Sequence, residues 1–128
     1  MHKGRSVTSN YQPKRLRNET RSRPVADQLL QARTLWERAA GLLALPILRA
    51  GDALWLEPCG SIHTWGMRYP IDVLFLSRDL RVLAVWRHVR PWRIAWAPRG
   101  THVAVELLSG GAACVERGDI LRCESWDQ

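Results

Sequence analysis

Beyond Gly51 the chain is cut repeatedly by proline or glycine, the longest uncut stretch being residues 71–90. Pro58, Gly60, Pro70, Pro91, Pro98, Gly100, Gly110, Gly111 and Gly118 leave only short apolar segments between them. Proline cannot donate to a sheet ladder and glycine weakens a regular element, so these positions are breaks. The segments they leave read as strands: 53–56, 71–76, 82–89, 101–108 and 120–124. The run Ile71 to Leu76, just after Pro70, is β-branched and aromatic. Gly51-Asp52, Ser77-Arg78-Asp79-Leu80, Pro98-Arg99-Gly100, Gly110-Gly111 and Arg117-Gly118-Asp119 supply the turns. Upstream, Ala26, Leu29, Leu30, Trp36, Ala40 and Leu43 recur at helical spacing. This predicts a helix within 26–43, strongest over 34–42 and stopped by Pro46. A short helical turn is expected over 112–116. The expected class is α+β: a mainly antiparallel sheet with one or two short helices.

With 128 residues the chain holds one domain at most, plus a tail. Hydrophobic residues make up 46%, enough for a compact core. The charge of +7 is uneven: residues 1–24 contribute seven basic side chains against Glu19, while residues 25–128 are nearly neutral. With Pro13 and Pro24 and little apolar patterning, 1–24 reads as a disordered basic tail, and 25–128 as the domain. Such a tail can hold nucleic acid or an anionic membrane weakly and in a salt-dependent manner.

Cys59, Cys114 and Cys123 are odd in number and contain no Cys-x-x-Cys pair, which argues against a disulfide framework. No apolar stretch follows the charged first residues, and Ala39 to Leu48 is too short to span a bilayer, so the cytoplasm is the expected location. No phosphate-cradling glycine loop, dinucleotide fingerprint or Gly-x-Ser-x-Gly elbow is present, which removes the commonest nucleotide and hydrolase chemistries.

The densest polar segment is Cys59-Gly-Ser-Ile-His-Thr-Trp-Gly-Met-Arg-Tyr-Pro-Ile-Asp-Val-Leu-Phe-Leu76. It closely resembles the signature of the domain of unknown function 192 family, small bacterial domains with no assigned activity. Arg38-Ala-Ala-Gly-Leu-Leu43 is similar to that family's early element. Arg81 to Val85 with Arg90-Pro91-Trp92-Arg93 resembles the second half of its central hairpin. Val105-Glu106-Leu107 with Gly110, and Gly118-Asp119, resemble its later elements. The resemblance covers roughly residues 25–124. It implies a compact β-rich fold, partly closed like a barrel, with short helices. Two departures stand out: Ala44-Leu45 follows the early element where Gly and Arg are usual, and the hairpin turn carries Asp79-Leu80 in place of Asp-Gly. If that turn keeps a positive φ, Leu80 costs it about 1 kcal/mol or more.

Within the segment, Asp72 lies between Ile71 and Val73 in an apolar strand. Alternation sets Asp72, Leu74 and Leu76 on one face and Ile71, Val73 and Phe75 on the other. A carboxylate on such a face needs a partner, and Arg68 and His63 are nearest along the chain. It either ties down the preceding loop or serves as a general base or ligand anchor. His63 can be a base, a metal ligand or a loop strut. Cys59, four residues earlier, permits a Cys–His nucleophile or half a metal site. No helix N-terminus is predicted to activate the thiol, and a structural zinc site needs four ligands. No cofactor is therefore expected. Glu106 repeats the logic of Asp72, and the two carboxylates can converge on one pocket or each pair with an arginine. Trp65, Met67, Trp92 and Trp96 beside Arg68 and Arg93 suit a small polar ligand with an apolar face, although filling the core is their alternative.

Three functions follow. The first is a small ligand-binding or accessory domain, its pocket built from His63, Trp65, Met67, Arg68, Asp72 and Glu106, for a sugar-like or other small polar ligand. The second is an enzyme using Asp72, His63 or Cys59. The third is an interaction module whose basic tail meets nucleic acid or membrane.

Overall fold

The computed structural model describes residues 14–32, 48–58, 60–65 and 67–125. Ten strands make up the regular structure: β1 Lys14–Asn18, β2 Arg23–Ala26, β3 Gln28–Ala32, β4 Asp52–Leu56, β5 Ile62–His63, β6 Ile71–Leu76, β7 Val82–Val89, β8 Ile94–Ala95, β9 Val103–Leu108 and β10 Leu121–Ser125. They form a five-stranded sheet in the order β3-β4-β9-β6-β7, a three-stranded sheet β10-β1-β2 and a two-stranded sheet β5-β8. All pairings are antiparallel except β3 with β4.

The five-stranded sheet is the middle layer. Its alternating side chains divide between two cores. Ala53 and Trp55, Leu74 and Leu76, and Val103, Val105 and Leu107 face one way, where Leu16, Ala26 and Leu121 of the three-stranded sheet meet them. Leu54 and Leu56, Ile71, Val73 and Phe75, and Ala104 face the other way, where Leu48, Ile62 and Ala95 cover them. Because both faces are covered, β6 is buried at every position, which explains why it reads as an unbroken apolar run. The register confirms the facing: Leu74 lies opposite Val105, and Phe75 opposite Ala104. The strands at 71–76 and 82–89 coincide with the sequence expectation.

The α+β expectation is corrected to all-β, since the described residues contain no helix. Residues 28–32, expected in the helix, form the edge strand β3, parallel to β4 from Gln28 opposite Asp52 to Ala32 opposite Leu56. Leu29 packs into one core and Leu30 against the other. Serving both faces of a sheet satisfies these adjacent leucines, whereas a helix would bury one stripe. The stronger part of the predicted helix, 34–42, lies outside the described residues. The helical turn expected at 112–116 is a series of tight turns, with Gly111 N bonded to Leu108 O and Val115 N to Ala112 O. A side chain supplies the remaining order there: Asp72 accepts from Gly110 N and Ala112 N.

The partly closed barrel is corrected as well, because the sheets remain open with β3 and β7 as edges of the middle layer. The tail expectation changes from residue 14 onward. Leu16 of β1 is in the core, and Arg15 and Arg21 pair with Glu124 and Asp119. Residues 1–13 lie outside the described residues. The fold explains why a charged stretch joins it: Arg15 of β1 and Arg21 of the turn after it meet carboxylates of neighbouring segments, and β1 contributes Leu16 inward. Leu80 does hold a positive φ of 67°, so the turn keeps the backbone that Asp-Gly would supply. Its side chain packs against the core in partial return.

Candidate functional site

The signature segment and the stretch 90–97 meet in the small sheet. Ile62 lies opposite Ala95 and His63 opposite Ile94. Ile62 and Ala95 point into the second core. His63 and Ile94, as a directly opposed pair, therefore share the outer face. The join is fastened by Thr64, which is fully buried. Its Oγ1 donates to Arg90 O at 2.7 Å and accepts from Arg93 N at 2.9 Å, its amide donates to Arg93 O, and its carbonyl accepts from Trp92 N and Met67 N. One threonine thus fixes both loops. Past the ladder, Ala97 N donates to Ser61 Oγ and extends the pairing.

This rigid support displays large apolar side chains to water. Trp65 is 47% exposed, Trp92 65%, Trp96 64% and Ile94 38%, and these are the exposed large hydrophobic residues among those described. The His63 and Trp65 rings lie 5.0 Å apart at 36°. Trp92 also has a φ of 65°, a left-handed conformation that costs a bulky residue about 1 kcal/mol or more. With the residue 65% exposed, burial returns little of that cost. Arg68, Arg90, Arg93 and Arg99, each within three residues of one of these tryptophans in the chain, are all exposed. No acidic residue occurs in 58–71 or 80–105, and none of these four arginines is ion-paired among the described residues. The face is aromatic and cationic.

The residues picked out in the sequence are distributed unevenly. His63, Trp65 and Arg68 belong to this face or its rim. Met67 packs partly buried against the second core. Glu106 is buried in β9 opposite Leu54 and Val73, on the side of the middle sheet that the small sheet covers. Asp72 lies opposite Leu107 and faces the other core. The two carboxylates do not converge. Asp72 pairs with neither Arg68 nor His63: it accepts His88 N at 2.8 Å on one oxygen, and Gly110 N and Ala112 N at 3.0 Å on the other. His88 has a φ of 53° at an irregularity where β7 slips register against β6. The carboxylate thus holds a strand bulge and a glycine turn together. Of the alternatives open in the sequence, its contacts are those of a loop tie, made to later segments instead of the preceding one.

Cys59 lies outside the described residues. Among those described, no group of three His, Cys, Asp or Glu side chains is arranged to hold a metal ion. His88 Nδ1 lies 2.7 Å from Ser109 Oγ, but the neighbouring amides of Gly110 and Gly111 are already bonded to Asp72 and Leu108, so they offer no oxyanion donors. A second carboxylate knot, Asp119, accepts from Asn18 Nδ2, Arg21 Nε and Glu116 N. Burial pushes its carboxyl up, and these hydrogen bonds together outweigh it, so the net shift is downward.

Ile94 and Thr64 were missed by sequence reasoning. The signal for Ile94 was available: Trp92, Ile94 and Trp96 alternate between Pro91 and Pro98, as an exposed strand face does. Nothing local marks Thr64, whose partners are 26 and 29 residues away.

A crystal structure of a protein of unknown function from Novosphingobium aromaticivorans is similar to this chain, with a TM-score of 0.71 and 23% identity over 86% of this chain and 83% of that one. A second, from Sinorhizobium meliloti, is described as a "putative transcription regulator" and has a TM-score of 0.72 and 18% identity over 88% and 92%. At these identities the likeness is one of fold. No curated protein matches. The family model described as Uncharacterized ACR, DUF192, matches residues 16–123, most of the length and nine residues further upstream than the resemblance seen in the sequence. The chain belongs to the DUF192 family.

Proposed function

We propose that this chain is a binding domain whose site is the outer face of the β5–β8 sheet. Its ligand has a flat apolar surface and negative charge. The observation that carries the reading is Trp92: a left-handed backbone and an indole 65% exposed, held in place by a buried threonine. Strain of this kind persists where the surroundings over-determine it, and it collects at ligand clamps. Indoles offer flat contact area at low entropic cost, and arginine forks pair with carboxylate or phosphate. His63, Trp65 and Arg68 keep the role the sequence suggested. Asp72 and Glu106 act from within the fold and not at the ligand.

The test is a thermal-shift screen of the full chain against sugars, organic acids and nucleotides. A ligand at 100 times its Kd adds about 2.7 kcal/mol of stability. The expected result is a shift with anionic, ring-bearing ligands that disappears in Trp92→Gly and Trp96→Ala while both variants stay folded. A shift that survives in both variants, or none with any ligand, would sink the reading.

A further inference from the structure

We infer that the physiological occupant of the aromatic face is single-stranded nucleic acid, bound by base stacking on Trp65, Trp92 and Trp96 and by phosphate pairing to Arg68, Arg90, Arg93 and Arg99. This rests on the binding-domain reading above and narrows its ligand.

Three features of this face favour a nucleic-acid strand. The three tryptophans flank the β5–β8 strands, and the backbone that carries them is tied together through Thr64, which makes it a firm base for aromatic platforms. Fixed aromatic platforms bind any base through its π-face. Next, three exposed indoles can stack only on bases that are splayed out, which a single strand offers and a duplex with its bases stacked inside does not. Last, the cations here are all arginine; the only lysines in the chain are Lys3 and Lys14. The guanidinium fork suits phosphate bidentately and also stacks on bases. An anionic bilayer would attract the same charges, and indoles suit its interface as well. The all-arginine charge set, whose forks pair with phosphate and stack on bases, favours the strand, and vesicles are one arm of the test.

The experiment is fluorescence anisotropy of the full chain with labelled fifteen-nucleotide oligo-dT and oligo-U, compared with a mononucleotide, a blunt duplex of the same length and phosphatidylglycerol vesicles. Oligomers are expected to bind more tightly than the mononucleotide and the duplex. Trp96→Ala and Trp65→Ala each weaken binding about tenfold, and Trp92→Gly similarly. Arg90→Gln and Arg93→Gln lower the slope of log affinity against log salt by about 0.7 each. Oligomers that bind no better than the mononucleotide, with tryptophan-dependent small-ligand binding intact, overturn the single-strand proposal and leave the binding-domain reading standing. Oligomer binding unaffected by the tryptophan variants overturns it too, since the contact then lies elsewhere. Tryptophan-dependent vesicle binding without oligomer binding assigns the face to membranes. No tryptophan-dependent binding in either assay removes both.

Discussion

Asp72 and Glu106 stand on opposite faces of one sheet, a single register step apart: Asp72 lies opposite Leu107, and Glu106 lies opposite Val73. Both are buried, each beneath a different core. The sheet therefore separates two kinds of work. On the Asp72 side a carboxylate replaces missing ladder bonds where β7 bulges and the chain turns through Gly110. On the Glu106 side the sheet supports the small β5–β8 layer, whose outer surface carries the exposed indoles.

Asp72→Ala leaves three backbone amides without their acceptor, one of them fully buried. The expected loss is about 3 kcal/mol or more. Asp72→Asn recovers only part of it, because the side chain turns a donor toward an amide. Urea denaturation gives the midpoints. A variant as stable as the parent would show that these hydrogen bonds do not hold the turn.

Trp92→Gly removes a left-handed Trp whose ring is mostly in water, so stability rises by about 0.5–1 kcal/mol while ligand binding falls. Leu80→Gly relieves the same backbone cost but forfeits contacts with the core, so its gain is smaller or reversed. Thermal melts of the two variants distinguish strain kept for display from strain offset by packing. A Trp92→Gly protein less stable than the parent would mark the indole as structural.

A methyl group at Gly111 would sit 2.8 Å from Leu107 Cβ and 3.0 Å from the Leu108 carbonyl. Backbone must move to admit it, so Gly111→Ala is expected to cost about 1–3 kcal/mol. The same change at Gly60, where a Cβ meets nothing within 4 Å, serves as the control. Equal midpoints for both would contradict the packing under the turn.

The Asp119 carboxyl is held below its usual range in the folded chain. A depressed folded value means the stabilisation is complete above the unfolded pKa, about 4, and is lost as pH falls through the folded value. Melting temperature should therefore decline below about pH 4, and Asp119→Asn should flatten that decline while lowering stability at neutral pH. Superimposable acid limbs would remove Asp119 from the linkage.

Burial pushes the Cys123 thiol up. At pH 8 its alkylation by iodoacetamide should be slower in the folded than in the urea-unfolded chain, read by mass spectrometry of the modified peptide. Equal rates would mean the thiol is open to solvent.

Much of the local architecture was decided by the sequence alone. Pro70 and the Ser77–Leu80 turn bound β6, and a run of branched and aromatic residues between such breaks has few options other than a strand. Alternation within it also assigned Asp72 and Val73 to opposite faces, because the period of a strand is two. What lay beyond reach was everything set by partners distant in the chain. Leu29 and Leu30 fit a helical pattern, and only the parallel neighbour β4 makes them a strand. Leu16 lies among cations, yet β10 and the core draw it inward. Trp55 and Trp92 are the same residue type, and the sequence could not say which is buried. Trp55 lies opposite Val105 in a sheet covered on both sides, while Trp92, whose amide donates to the carbonyl of Thr64 28 positions away in the chain, is turned outward. Burial is a property of the assembled layers, so a core and a binding face written in the same residues separate only when those layers meet.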